Sequence, residues 1–235
     1  MKGVKMKKKE KIKRYLYFLI GLFINSFGVA FITKANLGTS PISSIPYVLS
    51  LKYSLTLGNY TILFSLVLIG LQILLLRKRF SVVQLLQIPV SILFGYFIDF
   101  SMDVLLAWIN PQTYPEKMIF LLIGCAILGF GVSMEFTANV IMLPGEGTVN
   151  SLHMVLNRET GVLKICVDVS MSVIALIASL VFSGQINGVR EGTIIAAVLV
   201  GYMAKQYGHF MNGPIERWFK AEKKRLVPVS KPVEQ

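Results

Sequence analysis

Ala35-Asn36-Leu37-Gly38-Thr39-Ser40-Pro41 decides the fold, because an altered copy, Ala138-Asn139-Val140-Ile141-Met142-Leu143-Pro144, follows 103 residues later. At the same offset Gly21 falls on Gly124, Gly28 on Gly131, Val29 on Val132, Leu49 on Leu152, Gly58 on Gly161 and Ile62 on Ile165. Leu19, Ile20, Ile24 and Phe27 also find their twins. Apolar coincidences are common in an apolar chain; matched Gly, Asn and Pro are not. The register then slips by three residues, and Ile88, Leu93, Gly95 and Tyr96 fall on Ile194, Leu199, Gly201 and Tyr202 at offset 106. A duplication with one short indel accounts for the whole pattern.

The 235 residues are 54% hydrophobic and only 15% charged, with a mean hydropathy of +0.64. That is too apolar for an ordinary soluble domain and reads as an integral membrane protein. The net charge of +12 raises nucleic acid as a partner. The Lys and Arg residues, however, lie at the two ends and beside apolar spans, a placement that suits anionic lipid headgroups and not a folded basic face. Cys125 and Cys166 both fall inside apolar spans and read as small buried residues before a disulfide or a metal pair.

Residues 1–14 carry eight basic side chains, from Lys2 to Arg14, and cannot enter hydrocarbon. The apolar run Tyr15 to Thr33 follows. It lacks a small-x-small cleavage site and has a full-length copy later, so it reads as a first transmembrane helix and not as a signal peptide. Between Ala35 and Gly58 the character changes. Ser40-Pro41 reads as an N-cap followed by proline at the first helical position, opening a helix over 41–51 of roughly 15 Å at 1.5 Å per residue. Half a bilayer is too little to span. Asn59 to Leu76 and Ser81 to about Trp108 are further spans, the latter expected to kink at Pro89. After the turn-rich stretch Asn110 to Pro115, the second half repeats the scheme. Its spans run from about Lys117 to Phe136, Leu163 to Phe182 and Gly192 to Phe210, with a short helix over 147–157 too polar to cross. Repeat one thus covers 15–108, repeat two 117–211, and a basic tail 212–235.

Sidedness follows from counting charges. With six spans and both termini inside, the inner segments hold eight basic residues before the first span, Arg77-Lys78-Arg79, Arg158 with Lys164, and six in the tail, against Lys34, Lys52, Lys117 and Arg190 outside. Three spans per repeat is an odd number, so the second copy enters from the opposite side. The expected architecture is an all-α polytopic membrane protein of six transmembrane helices in two inverted repeats, each with a short re-entrant helix. Non-helical backbone at such depth needs protein or a water-filled cavity to satisfy it, and inverted repeats with broken helices are the usual anatomy of secondary transporters.

The basic N-terminus, the spaced glycines of the first span, Leu37-Gly38-Thr39-Ser40-Pro41 before a short helix and Leu143-Pro144-Gly145-Glu146-Gly147 in the second half resemble the YczE/YyaS/YitT group of bacterial integral membrane proteins, YczE above all. The likeness covers about residues 10–215. It implies a multi-pass protein of the bacterial cytoplasmic membrane, of a group suspected of moving small molecules, some of its members linked to vitamin-type or amine compounds.

Two sets of residues stand out. Asn36, Thr39, Ser40, Ser43, Asn139, Thr148 and Asn150 surround the two broken regions and are candidates for substrate binding. A helix N-terminus with hydroxyls favours an anion or carbonyl oxygen. Asn36 and Asn139 also suit simple helix capping, and the serines could merely cap their helix. Glu146, between two glycines, is a natural proton or cation site, with His153 a possible second group; Glu146 could equally stabilise the adjacent helix N-terminus. Glu135 and Asp168 are expected to pair with Lys164 or another base, and Lys205 and Asp99 to reach toward opposite headgroup layers. There is no H-E-x-x-H, G-x-S-x-G or Walker A motif, so no enzyme, no metal and no cofactor are expected. Two functions fit: a secondary transporter of a small polar molecule, or a non-transporting membrane scaffold or assembly factor. A polar cavity at mid-membrane distinguishes the first; an interior filled by Leu, Ile and Phe, the second.

Overall fold

The computed structural model describes residues 8–220. Lys2, Lys5 and Lys7, and Lys223, Lys224, Arg225 and Lys231 of the tail, lie outside the described residues. Within them the fold is all-helical: α1 (Lys8–Lys34), α2 (Pro41–Lys52), α3 (Leu57–Leu76), α4 (Gln87–Phe100), α5 (Tyr114–Ala138), α6 (Pro144–Leu156), α7 (Thr160–Ser183) and α8 (Glu191–Lys220). Residues 8–14 are therefore already helical, and α8 continues into the tail.

The two copied stretches end and start helices in the same way. Asn36 (φ 56°) and Asn139 (φ 49°) both take the left-handed conformation just beyond α1 and α5, which Asn tolerates better than most residues because its short polar side chain serves the local backbone. Pro41 and Pro144 then open α2 and α6 at a position where a missing N–H costs nothing. The second short helix begins three residues before the expected 147, because Leu143 supplies the extended N-cap backbone (φ −63°, ψ 155°). Glu146 and Gly147 are thereby inside the first turn. Pro89 also lies in the first turn of its helix, α4, after a 3-10 lead-in over Val82–Leu86. It starts the regular helix and does not kink it.

The core is the α1–α5 pair, whose glycines seat each helix on the other's backbone. A Cβ added to Gly28 would lie 2.5 Å from Leu128 N, and one on Gly131 would lie 2.7 Å from Asn25 Cα. One on Gly21 would lie 2.8 Å from Met134 Cβ and one on Gly124 2.7 Å from Ile32 Cγ1. Rising positions on α1 meet falling positions on α5, so the two helices are antiparallel. Asn25 and Leu128 are themselves twins in the duplication, which makes this contact reciprocal, as in a self-complementary interface.

Five helical segments are long and apolar enough to cross a membrane: Lys8–Lys34, Leu57–Arg79, Val82–Leu105, Tyr114–Ala138 and Thr160–Ser183. The sixth expected span, in α8, does not reach that apolarity, since Lys205, Gln206 and His209 occupy its second half. Even so, α8 packs along α5 and is tied to the chain at both ends of α1. At one end Gly192 N donates to Leu37 O (2.9 Å); at the other, Arg14 donates to Glu216 (2.8 Å).

Arg14, placed by its sequence among exposed basic residues, is buried. Its guanidinium also reaches Glu10 (3.2 Å) and Ala138 O (3.2 Å) and stacks 4.5 Å from the Phe219 ring. A single planar fork thus ties α1 to the ends of α5 and α8.

In one respect the two halves differ. α3 and α4 pack closely, with Gly58 against Gly95 O and with Ile62 over Gly95, whereas α7 and α8 barely touch.

Candidate functional site

The splay of α7 from α8 opens a cavity of about 1270 Å³. The tips of α2 and α6 meet at its wall, where a Cβ on Gly145 would lie 2.7 Å from Ile42 Cδ1. Most of the lining is apolar. Ile165, Val169, Ile194 and Val198 form its side opening and are each more than half exposed.

Polar groups interrupt this lining in two places. On the α2 side, Ser40 Oγ donates to Ser43 Oγ (3.0 Å). Ser40 does not cap α2 with its side chain, as its place before Pro41 suggests, because the Ser43 N–H donates to the Ser40 carbonyl oxygen instead (3.0 Å). On the α6 side stand Glu146 and, one turn on, Asn150. Nearby, Lys164 Nζ is 2.9 Å from Asp168 Oδ1, an i,i+4 pair on α7. Glu146 feels the charges of both, and Glu135 feels that of Glu146. Glu135 makes no ion pair among the described residues: its Oε1 accepts from Asn25 Nδ2 at 2.8 Å, with both side chains buried. Glu146 makes no ion pair among the described residues, so its carboxylate on the cavity wall is available to a cation or a proton.

The structure therefore brings Ser40, Ser43, Glu146 and Asn150 to one cavity. Thr39 and Thr148 are buried behind it. Thr39 shares a hydrogen bond with Thr33 Oγ1 (2.9 Å) and donates its N–H to Thr193 Oγ1 (3.3 Å), while Thr148 Oγ1 bonds back to Pro144 O (2.8 Å). Asn36 and Asn139 are exposed caps. Asn139 borders a second, smaller cavity of about 250 Å³ beside Glu135 and Glu146; Asn36 borders neither. His153, two turns from Glu146, holds the end of its own helix through Nδ1 and Arg158 O (2.6 Å). Asp99 does not reach outward. It accepts from Gly58 N (2.7 Å) and Thr56 Oγ1 (2.6 Å), capping α3.

Sequence reasoning passed over Asn25, Gln72 and Gln87. Gln72 Nε2 donates to Gln87 Oε1 (3.1 Å) and to Pro144 O (3.2 Å), and Gln87 Nε2 returns a bond to Gln72 Oε1 (3.3 Å). Both amides are buried. Gly147 lies on them, leaving no room for a side chain: a Cβ there would be 2.8 Å from Gln72 Oε1. The pair fixes the tip of α6. A lone amide within an apolar run was the available signal, since such a group in a membrane must find an internal partner.

The model of a family described as "Family of unknown function (DUF6198)" matches residues 12–209. The chain is 30% identical over 199 residues, 84% of its own length and 86% of the relative's, to "Uncharacterized membrane protein YczE" of Bacillus subtilis (strain 168). It is 24% identical over 212 residues, 90% of its own length and 98% of the relative's, to "Uncharacterized protein YyaS" of the same organism. No solved structure matches. This all-helical, multi-pass membrane protein belongs to the YczE-like family of unknown function DUF6198.

Proposed function

We propose that the protein is a secondary transporter of a small organic molecule across the bacterial cytoplasmic membrane, built from two inverted repeats whose short helices α2 and α6 are re-entrant and whose α8 is a sixth span. The observation that carries the reading is the cavity at the meeting point of the two proline-started tips, with the carboxylate of Glu146, which makes no ion pair among the described residues, on its wall. The antiparallel α1–α5 pair and the common geometry of Asn36-to-Pro41 and Asn139-to-Pro144 support the inverted relation.

The lining refines the expected substrate. Walls that are apolar over most of their extent, with polar groups near Ser40 and Ser43 and near Glu146 and Asn150, suit a molecule with an apolar body and polar ends more than a small polar solute. Ser40, Ser43 and Asn150 contact it, and Glu146 exchanges a proton or cation during the cycle. Thr39, Thr148, Asn36 and Asn139 shape the two broken regions behind the site, and His153 supports α6. Both termini are cytoplasmic, and their basic residues engage anionic lipids. A scaffold, the second reading, has no use for an unfilled interior of this size.

The test is uptake by proteoliposomes under an imposed pH gradient, screened over amphipathic amines, vitamins and amino acids, with wild type and Glu146→Gln. The wild type is expected to accumulate a substrate, and the variant to lose the pH-driven component while still binding that substrate, read as ligand-induced thermal stabilisation. Full proton-driven uptake by Glu146→Gln removes Glu146 from the mechanism, and absence of uptake of any tested class by wild type favours the scaffold.

A further inference from the structure

The tight contact that joins α3 to α4 has a counterpart between α7 and α8 that is not made. In the first half, Gly58 lies against Gly95 O, and a Cβ on Gly95 would lie 2.5 Å from Ile62 Cγ1. Thr56 Oγ1 bonds to Asp99 Oδ2 (2.6 Å) at the same junction. The duplication maps Gly58 onto Gly161, Ile62 onto Ile165 and Thr56 onto Glu159 at offset 103, and Gly95 onto Gly201 and Asp99 onto Lys205 at offset 106. Every second-half counterpart is in the open. A Cβ on Gly161 or Gly201 would meet no atom within 4 Å. Ile165 is 65% exposed, and Glu159 and Lys205 are exposed as well. Gly161, Ile165, Gly201 and Lys205 all line the cavity.

The substitutions between the halves are complementary. Where the first half has a hydroxyl and a carboxylate in hydrogen bond, the second has a carboxylate and an ammonium. Glycine also persists at both contact positions of the second half, although nothing there excludes a side chain.

We infer that α7 and α8 close on each other in a second conformation, seating Gly161 against Gly201 beneath Ile165 and pairing Glu159 with Lys205, and so shutting the side opening of the cavity. The pairing replaces the present splay with the geometry already realised by α3 and α4. It removes Ile165 from its exposed position, and two glycines allow the backbone approach. The inference rests on the reading of the halves as copies of one arrangement; it does not depend on which molecule is carried.

The first test uses the unmodified chain in liposomes. Carbodiimide joins a carboxylate to an amine only when the two are in contact, and a Glu159–Lys205 bridged peptide is expected by mass spectrometry. The second uses a Cys125→Ala, Cys166→Ala background. Disulfide formation needs Cα atoms within about 7 Å, so Glu159→Cys with Lys205→Cys is expected to bridge within one chain under mild oxidation, and Thr56→Cys with Asp99→Cys is expected to bridge at the contact already formed. Adding Gly201→Leu is expected to lower the 159–205 yield about tenfold, through overpacking of the closed form, and to leave the 56–99 yield unchanged. Bridging at 56–99 without bridging at 159–205 by either chemistry overturns the closure. So does bridging only between two chains, which would give the α7–α8 face to a second copy. Transport is not the readout, so failure of the transporter reading and failure of the closure are distinguishable.

Discussion

Gly28→Ala probes the α1–α5 seat most directly. The new methyl would lie 2.5 Å from Leu128 N and 2.6 Å from its Cα, where ordinary contact begins near 3.4 Å. Backbone cannot rotate away as a side chain can, so the two axes must part by about 1 Å, with every contact along the interface loosened. Overpacking of this kind costs about 1–3 kcal/mol, and an obstacle made of main chain belongs at the upper end. Against it stands the better helix propensity of Ala, about 1 kcal/mol. The net loss is about 1–2 kcal/mol, or about 2–8 °C in Tm for a chain of this size. Gly70→Ala is the control. A Cβ at Gly70 on α3 meets nothing within 4 Å, so propensity acts alone and Tm is expected to rise by about 1–4 °C. Gly131→Ala, the reciprocal lesion, should cost about as much as Gly28→Ala, and the double variant less than the sum, since helices already parted admit the second methyl more easily. Thermal unfolding of detergent-purified protein, followed by the loss of the monodisperse species, reads all four. If Gly28→Ala is as stable as wild type, or if Gly70→Ala falls as far, the reasoning from close backbone approach is wrong.

Two further outcomes are expected. Gln72→Leu strands the Gln87 amide, while Pro144 O keeps the Thr148 hydroxyl, and should destabilise by about 1–3 kcal/mol; the Gln72→Leu, Gln87→Leu double variant, which removes both amides, should lose less than the two single variants combined, in the same unfolding assay. Arg14→Lys keeps the charge but cannot reach Glu10, Glu216 and Ala138 O together, so a loss of about 1–3 kcal/mol is expected, and Glu216→Gln, which leaves two of those three contacts, should lose less; equal losses would show that the fork geometry is irrelevant.

What could be read from the sequence alone was what the backbone constrains tightly. Glycine at a helix crossing, asparagine in the left-handed cap and proline at the first helical position each meet a local steric demand. They therefore recur in both halves at fixed offset, and the helical membrane class and the proline starts of α2 and α6 could be read from them. Partners distant in sequence left no such trace. Asn25 with Glu135, Gln72 with Gln87, and Arg14 with Glu216 become neighbours only through tertiary packing, and nothing in a single sequence says which buried amide or carboxylate a given group will meet. For that reason Arg14 passed for one more exposed basic residue and Asp99 for an outward-reaching carboxylate. Asn36 and Asn139 lie at the copied positions and turn the chain there, and equivalence of place alone does not say whether such a residue also lines a site. The splay of α7 and α8 was illegible for another reason: the same small residues serve a packed and an unpacked pair.

The limited apolarity of α8 has a bearing on biosynthesis. A segment partitions into lipid during membrane insertion on the strength of its own hydrocarbon content, but the part of α8 that carries Lys205, Gln206, His209 and Asn212 has little of it to offer. That part is held by proteinaceous neighbours instead: Thr137 donates to Asn212 (2.7 Å), and Arg14 waits for Glu216. On the six-span reading proposed above, the final helix would enter the bilayer as a guest of the other helices, with its polar half admitted by the partners it meets there and not by its own apolarity.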